Sequence, residues 1–304
     1  MQKAKSLTTI VILLLLGIFV FSACEKEDKR IKEEQKKLQQ YLEEKGYSGI
    51  EPTSSGLYYV VLKEGEGSGP ERSDFVNIEF VASLVDGTVF ETSDYELAVS
   101  WGIDREDKLY GPAKFRLENL GIQGLREGIM IMKEGSISRI IIPSNLAFGS
   151  VDYGIIPPYS TLIYDVELLD VISDPVEHEQ NLLNQYLEDN GITVSPESGL
   201  YYIERDAGTG DLPDGDATVT LHYKGYLLDG RLFGESTSSN PFILSMSDTN
   251  IIPGFIEGVK KMRKDGKATF IIPWDSGYGA DGSSEGIIPP YSTLVFEVEI
   301  ISIQ

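Results

Sequence analysis

The stretch Gly286-Ile287-Ile288-Pro289-Pro290-Tyr291-Ser292-Thr293-Leu294 repeats, letter for letter, Gly154-Ile155-Ile156-Pro157-Pro158-Tyr159-Ser160-Thr161-Leu162. Identity of that length within one chain means that a unit was duplicated. Working outward, the copies continue. Gln35 to Gly46 parallels Gln180 to Gly191, and in the first of these Leu38, Tyr41 and Leu42 fall at i, i+3, i+4. That spacing predicts an amphipathic helix, with Gly46 and Gly191 as C-caps. Ser-Gly-Leu-Tyr-Tyr follows each helix as the expected first strand, Ser55 to Tyr59 and Ser198 to Tyr202. Alternating segments come next, with Val76, Ile78 and Phe80 on one strand face and Val219, Leu221 and Tyr223 on the other copy's. Asp86-Gly87 and Asp229-Gly230 are hairpin signals. A short helix over 124–130 or 254–260, then two apolar strands, closes each unit. Many strands with one short helix per unit predict an α+β fold.

A chain of 304 residues accommodates two domains of roughly 150 residues each. Its net charge of −22, with no basic stripe, excludes nucleic acid as a natural partner. At the N-terminus, Lys3 and Lys5 precede the apolar run Ile10 to Phe21, which is too short to span a bilayer. This has the form of an export signal. It ends in Phe21-Ser22-Ala23-Cys24, which resembles a bacterial lipoprotein cleavage site, with Cys24 becoming the lipid-modified first residue. An envelope lipoprotein of a Gram-negative outer membrane, held to the bilayer through Cys24, is the expectation. An uncleaved anchor and a free thiol are the alternatives. Cys24 is the only cysteine, so the chain has no internal disulfide, no CxxC redox motif and no cysteine-based metal site. The loop Asp281-Gly282-Ser283-Ser284-Glu285 lacks the regular oxygen spacing of a calcium loop, and no metal or cofactor is expected.

Gly-Ile-Ile-Pro-Pro, followed by Ser-Thr-Leu and an alternating strand, resembles the loop and last strand of FKBP-type peptidyl-prolyl cis-trans isomerases. The resemblance covers residues 55–172 and 198–304. It implies two tandem FKBP-like domains, each a twisted antiparallel sheet wrapped around one short helix and preceded by a further helix. The expected boundaries are 1–23 for the signal, 24–50 for a tether and helix, 51–174 for the first domain, 175–195 for a linker helix and 196–304 for the second domain. The first helix reads either as a stalk or homodimerisation arm or as an element packed on its own domain.

The activity that the resemblance implies makes small demands on the residues. Amide resonance sets a barrier of roughly 18–20 kcal/mol to rotation about a peptide bond. The half-rotated bond is less polar than the planar one, so a dry aromatic pocket favours the transition state over the ground state. No nucleophile, base or metal is required. The composition suits this, with two His but 16 Tyr and 12 Phe.

In the second half the family's pocket positions are filled. Tyr223 stands in His222-Tyr223-Lys224-Gly225, Phe233 follows the hairpin, Tyr278 lies in Gly277-Tyr278-Gly279 and Phe296 sits on the last strand. These four are the expected catalytic residues. Phe242, Ile251, Ile252, Phe255, Ile287 and Ile288 are the expected substrate-binding wall. Two positions depart from the family. Gly234 replaces an Asp that bonds the first Tyr, with Glu235 as a candidate substitute, and Phe255 replaces the floor Trp. In the first half the pocket is degenerate. Phe80 and Phe148 replace both tyrosines, Leu125 takes the floor and Ala113 falls where an aromatic belongs. Phe90, Glu91, Ile122, Ile155, Ile156 and Tyr164 remain. The resemblance therefore implies a folding helper for exported proteins, acting on proline-containing unfolded or partly folded chains mainly through its C-terminal domain. Its rival is a non-catalytic peptide-binding chaperone or envelope adaptor.

Overall fold

Strands and helices fall close to where the sequence periods place them. The computed structural model describes residues 27 and 29–304, so the readings on residues 1–23 and on Cys24 lie outside the described residues. The first helix of the described residues, α1, covers residues 29–44. β1 (Tyr58–Lys63), β2 (Phe75–Leu84), β3 (Val89–Thr92), α2 (Tyr95–Trp101), β4 (Ala113–Arg116), α3 (Gln123–Ile131), β5 (Ile137–Ile142) and β6 (Leu162–Ile172) follow. The second repeat runs α4 (Pro175–Asp189), β7 (Tyr201–Asp206), β8 (Thr218–Leu227), β9 (Leu232–Glu235), β10 (Phe242–Ser245), α5 (Pro253–Lys260), β11 (Lys267–Ile272) and β12 (Leu294–Ile303). The first sheet has the order β1-β5-β6-β2-β3, with β4 also on β2; the second has the order β7-β11-β12-β8-β10, with β9 also on β8. β5 runs antiparallel to both β1 and β6, just as β11 does to β7 and β12, and the two topologies are the same. The chain thus forms two α+β repeats of one topology.

Contacts divide the chain into two compact units, one holding the residues up to Gly69 with Phe80–Thr92 and Leu120–Leu168, the other Pro70–Glu79, Ser93–Asn119 and Leu169–Gln304. In the second unit, the inner sheet face closes over α5 and a core that includes Val219, Leu221, Phe255, Phe270, Phe296 and Ile300. Glycine sets the helix-to-sheet distance there. A Cβ on Gly258 would lie 2.5 Å from the Phe270 ring, so α5 can approach β11 only with no side chain at that position. Gly128 stands in the same relation to Ile140 in the first repeat.

Each leading helix packs on the outer face of its own sheet. Leu38, Tyr41 and Leu42 are buried against Ile141 and Ile163, and Leu183 against Ile271 and Val295. A buried glutamate fastens each helix. Glu34 accepts from the Ser144 N–H at 2.7 Å, the Ser144 hydroxyl at 2.6 Å and the Thr161 hydroxyl at 2.9 Å. In the second unit its counterpart Glu179 accepts from the Thr293 N–H at 2.7 Å and faces Lys114 Nζ at 3.2 Å. Thr161 and Thr293 belong to the duplicated stretch, which therefore serves as the anchor point of the preceding helix. Glu34→Ala strands a buried N–H and two hydroxyls and is expected to cost about 2 kcal/mol. The loss is read as faster hydrogen exchange across residues 29–44.

One boundary shifts from its expected place. The first strand of each repeat begins at Tyr58 and Tyr201, after a turn at Ser55-Gly56 and Ser198-Gly199. The segment between β3 and β4 is longer than its counterpart between β9 and β10. It contains α2, capped by the Asp94 carboxylate accepting from the Leu97 N–H and closed by Gly102 at φ 64°.

Candidate active site

The second repeat gathers the aromatic residues of five separate elements around one cleft of about 220 Å³. β8 contributes Tyr223, β9 Phe233, β10 Phe242, α5 Phe255 and β12 Phe296. Ile251 and Ile252 lead into α5, while Tyr278, Ile287 and Ile288 come from the loops that precede β12. Every residue expected from the sequence at this site lines the cleft. Asn250, Ser283, Glu285 and Gly234 complete it.

Ring packing fixes the floor. Phe255 is buried at 4% exposure, with the Phe296 ring centroid at 4.9 Å, Tyr223 at 6.1 Å and Phe242 at 6.3 Å. Phe233 meets Phe296 edge-on at 5.4 Å, and Tyr223 meets Phe242 edge-on at 5.5 Å. These separations are those of favourable edge-to-face pairs. Tyr278 stands at the more exposed side of the cleft, itself 40% exposed. Burial raises the Tyr223 hydroxyl above the ordinary phenol pKa. Tyr278 is raised too, first by burial, then by the neighbouring Tyr223 and Glu285. Both hydroxyls therefore stay protonated donors at neutral pH.

The duplicated stretch shapes the mouth through its backbone. Tyr291 adopts φ 50°, and its N–H donates to the Gly279 carbonyl at 3.1 Å, tying the loop that carries Tyr278. Tyr159 does the same in the first repeat, at φ 59°, donating to the Gly149 carbonyl at 2.7 Å. Ser283 accepts from the Ile288 N–H at 2.9 Å and donates its own N–H to the Ile288 carbonyl at 3.0 Å. Ile288 is thereby held buried against the core.

Gly234 leaves space beside the first tyrosine. A Cβ there would lie 3.5 Å from the Tyr223 hydroxyl, an ordinary contact distance. Glu235 does not take that place. It pairs across the strands with Lys224, its carboxylate 3.7 Å from Nζ.

The family described as FKBP-type peptidyl-prolyl cis-trans isomerase matches residues 67–169 and 210–301, more than half of the chain. This chain belongs to the FKBP family. Among its relatives, the FKBP-type peptidyl-prolyl cis-trans isomerase FkpA of Aeromonas hydrophila is 38% identical over 47% of this chain and 49% of that protein. The FKBP-type 22 kDa peptidyl-prolyl cis-trans isomerase of Escherichia coli K12 is 37% identical over 43% of this chain and 58% of that protein. The chain thus spans about half the length of the relatives it matches. The crystal structure of FkpA from Escherichia coli is 32% identical and covers 53% of this chain and 70% of that one, with a TM-score of 0.39.

As an FKBP repeat, the first half is altered at most of the same positions. Phe80 and Phe90 each lie 6.0 Å from the Tyr164 ring, and Tyr164 is buried, its hydroxyl pushed well above the ordinary value by desolvation and then by Glu91. Leu125 and Ile156 are buried, Ile122 caps the start of α3 and Ile155 is 45% exposed. Phe148 packs against Tyr153, ring centroids 4.4 Å apart. Strand register places Ala113 opposite Ile78 as it places Phe242 opposite Leu221, so the aromatic on that strand is lost. Sequence reasoning missed one more change. Gly225 of β8 corresponds to Ala82 of β2, which is fully buried. The signal was present, because the fourth letter of the His-Tyr-Lys-Gly word is not Gly in the first copy.

Proposed function

We propose that this FKBP is a prolyl cis-trans isomerase whose catalysis resides in the second repeat, residues 196–304, with Tyr223, Phe233, Tyr278 and Phe296 at the reacting bond. The observation that carries this reading is the cleft itself. Five packed aromatic rings line it, and its two tyrosine hydroxyls are kept protonated. Rotation about an X-Pro bond converts a polar planar amide into a less polar twisted one, and an apolar wall lowers that barrier without any proton transfer. Each 1.36 kcal/mol of preference for the twisted form is tenfold in rate. The Tyr278 hydroxyl, at the open side, supplies a donor for a substrate carbonyl. The walls would be Phe242, Ile251, Ile252, Phe255, Ile287 and Ile288.

Substrates are proline-containing, unfolded or partly folded chains, and the first repeat, 51–174, serves as a weak peptide-binding or spacer module. The protein is exported as a lipoprotein of the Gram-negative envelope, carried at Cys24. A homodimer through α1 would have to use that helix's exposed face, since the Leu38, Tyr41, Leu42 stripe is buried in its own repeat.

The second reading, a peptide holder without turnover, is favoured by Gly234, which leaves no carboxylate beside Tyr223. Refolding of a protein whose slow phase is a native cis-proline separates the two. An isomerase accelerates that phase at substoichiometric amounts, whereas a holder slows refolding and only when stoichiometric. Gly234→Asp is expected to raise the rate constant up to about tenfold, the worth of one charge-assisted hydrogen bond to the Tyr223 hydroxyl. Because no proton moves in the reaction and both tyrosine pKa values lie above their usual position, the rate is expected to be flat from about pH 6 to 9. A bell-shaped profile in the same refolding assay would count against it.

A further inference from the structure

One position at the pocket mouth changes character between the two repeats. It is the residue immediately before Gly-Ile-Ile-Pro-Pro: Tyr153 in the first copy and Glu285 in the second. In the first repeat the Tyr153 ring sits 4.4 Å from the ring of Phe148, the residue that stands where Tyr278 stands in the second. In the second repeat Glu285 lines the cleft together with Tyr278, and its charge is felt at the Tyr278 hydroxyl. Both copies of the loop therefore place this position beside the same mouth residue. Where the first copy sets an aromatic ring against this residue, the second places a carboxylate on the rim of the cleft.

Resting on the isomerase reading above, we infer that Glu285 is a specificity-determining residue: it selects prolyl bonds that have a lysine or arginine within one residue of the proline. The remainder of the cleft is apolar or neutral, lined by rings, Ile side chains, Asn250 and Ser283, so Glu285 is the charged side chain among its lining residues. A peptide held with its proline in the cleft has its neighbouring side chains at the rim. A cation there meets Glu285, and an anion is repelled by it. Exposed pairs of this kind are worth a few-fold rather than orders of magnitude, and salt screens them.

The test uses the full chain and five tetrapeptides: Ala-Leu-Pro-Phe, Ala-Lys-Pro-Phe, Ala-Glu-Pro-Phe, Ala-Leu-Pro-Lys and Ala-Leu-Pro-Glu. Cis-trans exchange is followed by NMR at low salt and again at about 0.5 M salt, where the Debye length falls to a few ångströms. The expected result is a lysine-over-glutamate ratio in kcat/KM of about two- to fivefold in at least one of the two positions. That ratio should approach one in Glu285→Gln and at high salt. Asp281→Asn removes the same charge from the same loop but outside the cleft lining, and should retain the ratio. A ratio unchanged in Glu285→Gln, or lost equally in Asp281→Asn, would assign the preference to the net charge of the chain and overturn the proposal. So would the absence of any ratio in wild type. If even Ala-Leu-Pro-Phe is not accelerated, the isomerase reading falls. The same ratios are then taken from dissociation constants by peptide titration, which decide the role of Glu285 independently of turnover.

Discussion

Phe255→Ala is expected to destabilise the second compact unit by about 3–5 kcal/mol and to remove, with the cleft floor, the isomerase activity proposed for it. Phe255 is 4% exposed and is the ring on which the others lean: Phe296 at 4.9 Å, Phe270 at 6.0 Å, Tyr223 at 6.1 Å and Phe242 at 6.3 Å. Truncation removes a buried aromatic side chain and leaves a void between α5 and the sheet. That void cannot collapse, because Gly254 and Gly258 already hold the helix as close to Ile272 and Phe270 as atoms allow. Urea unfolding monitored at the second repeat, alongside peptide exchange at a temperature where the variant is still folded, separates lost stability from lost catalysis. Wild-type stability in this variant would show that the floor packing described above is wrong.

The second large effect is expected from a single methyl group. Gly225→Ala would put a Cβ 2.5 Å from Cε2 and Cζ of Phe233 and 2.9 Å from Cε1 of Phe296. Both contacts are far inside van der Waals range, so the rings must move. Phe233 is only partly buried, and its ring can swing outward at a cost of about 1–3 kcal/mol in stability. Its place in the cleft wall is lost when it does. The rate constant should therefore fall by about ten- to a hundredfold, equivalent to roughly 1.4–2.7 kcal/mol in the barrier, with the fold kept. Circular dichroism and peptide exchange measured on the same sample check both halves. The first repeat already has this substitution in nature, as Ala82. Ala82→Gly alone should not restore activity there, because Phe80, Phe148 and Ala113 remain.

The duplicated stretch made the architecture legible because its residues are constrained by backbone geometry rather than by packing alone. A left-handed Tyr, two prolines and a Thr next to the helix anchor recur together only where the loop is the same. Periodicity found the longer strands and the helices α3 and α5 to within a few residues. The short helix Tyr95–Trp101 was missed because its single turn or two of pattern lies among charged residues, and its stop signal, Gly102, reads equally well as a loop residue. Glu34 and Glu179 were invisible for another reason. A glutamate on a charged helix looks solvated until the chain far away in sequence supplies Ser144, Thr161 and Thr293 as its donors. The resemblance supplied the wall of the cleft, but Glu285 and Ser283 required the loop geometry, since their short polar run resembles any solvated turn.

Whether the second repeat's cleft turns over prolyl bonds is decided by exchange NMR of Ala-Leu-Pro-Phe with three full-length proteins. These are wild type, Phe233→Ala with Tyr278→Ala, and the first-repeat control Phe90→Ala. Exchange well above the uncatalysed tens of seconds, kept in Phe90→Ala and lost in the second-repeat variant, is the predicted result. Exchange that survives in the second-repeat variant, or that wild type never accelerates, would contradict it.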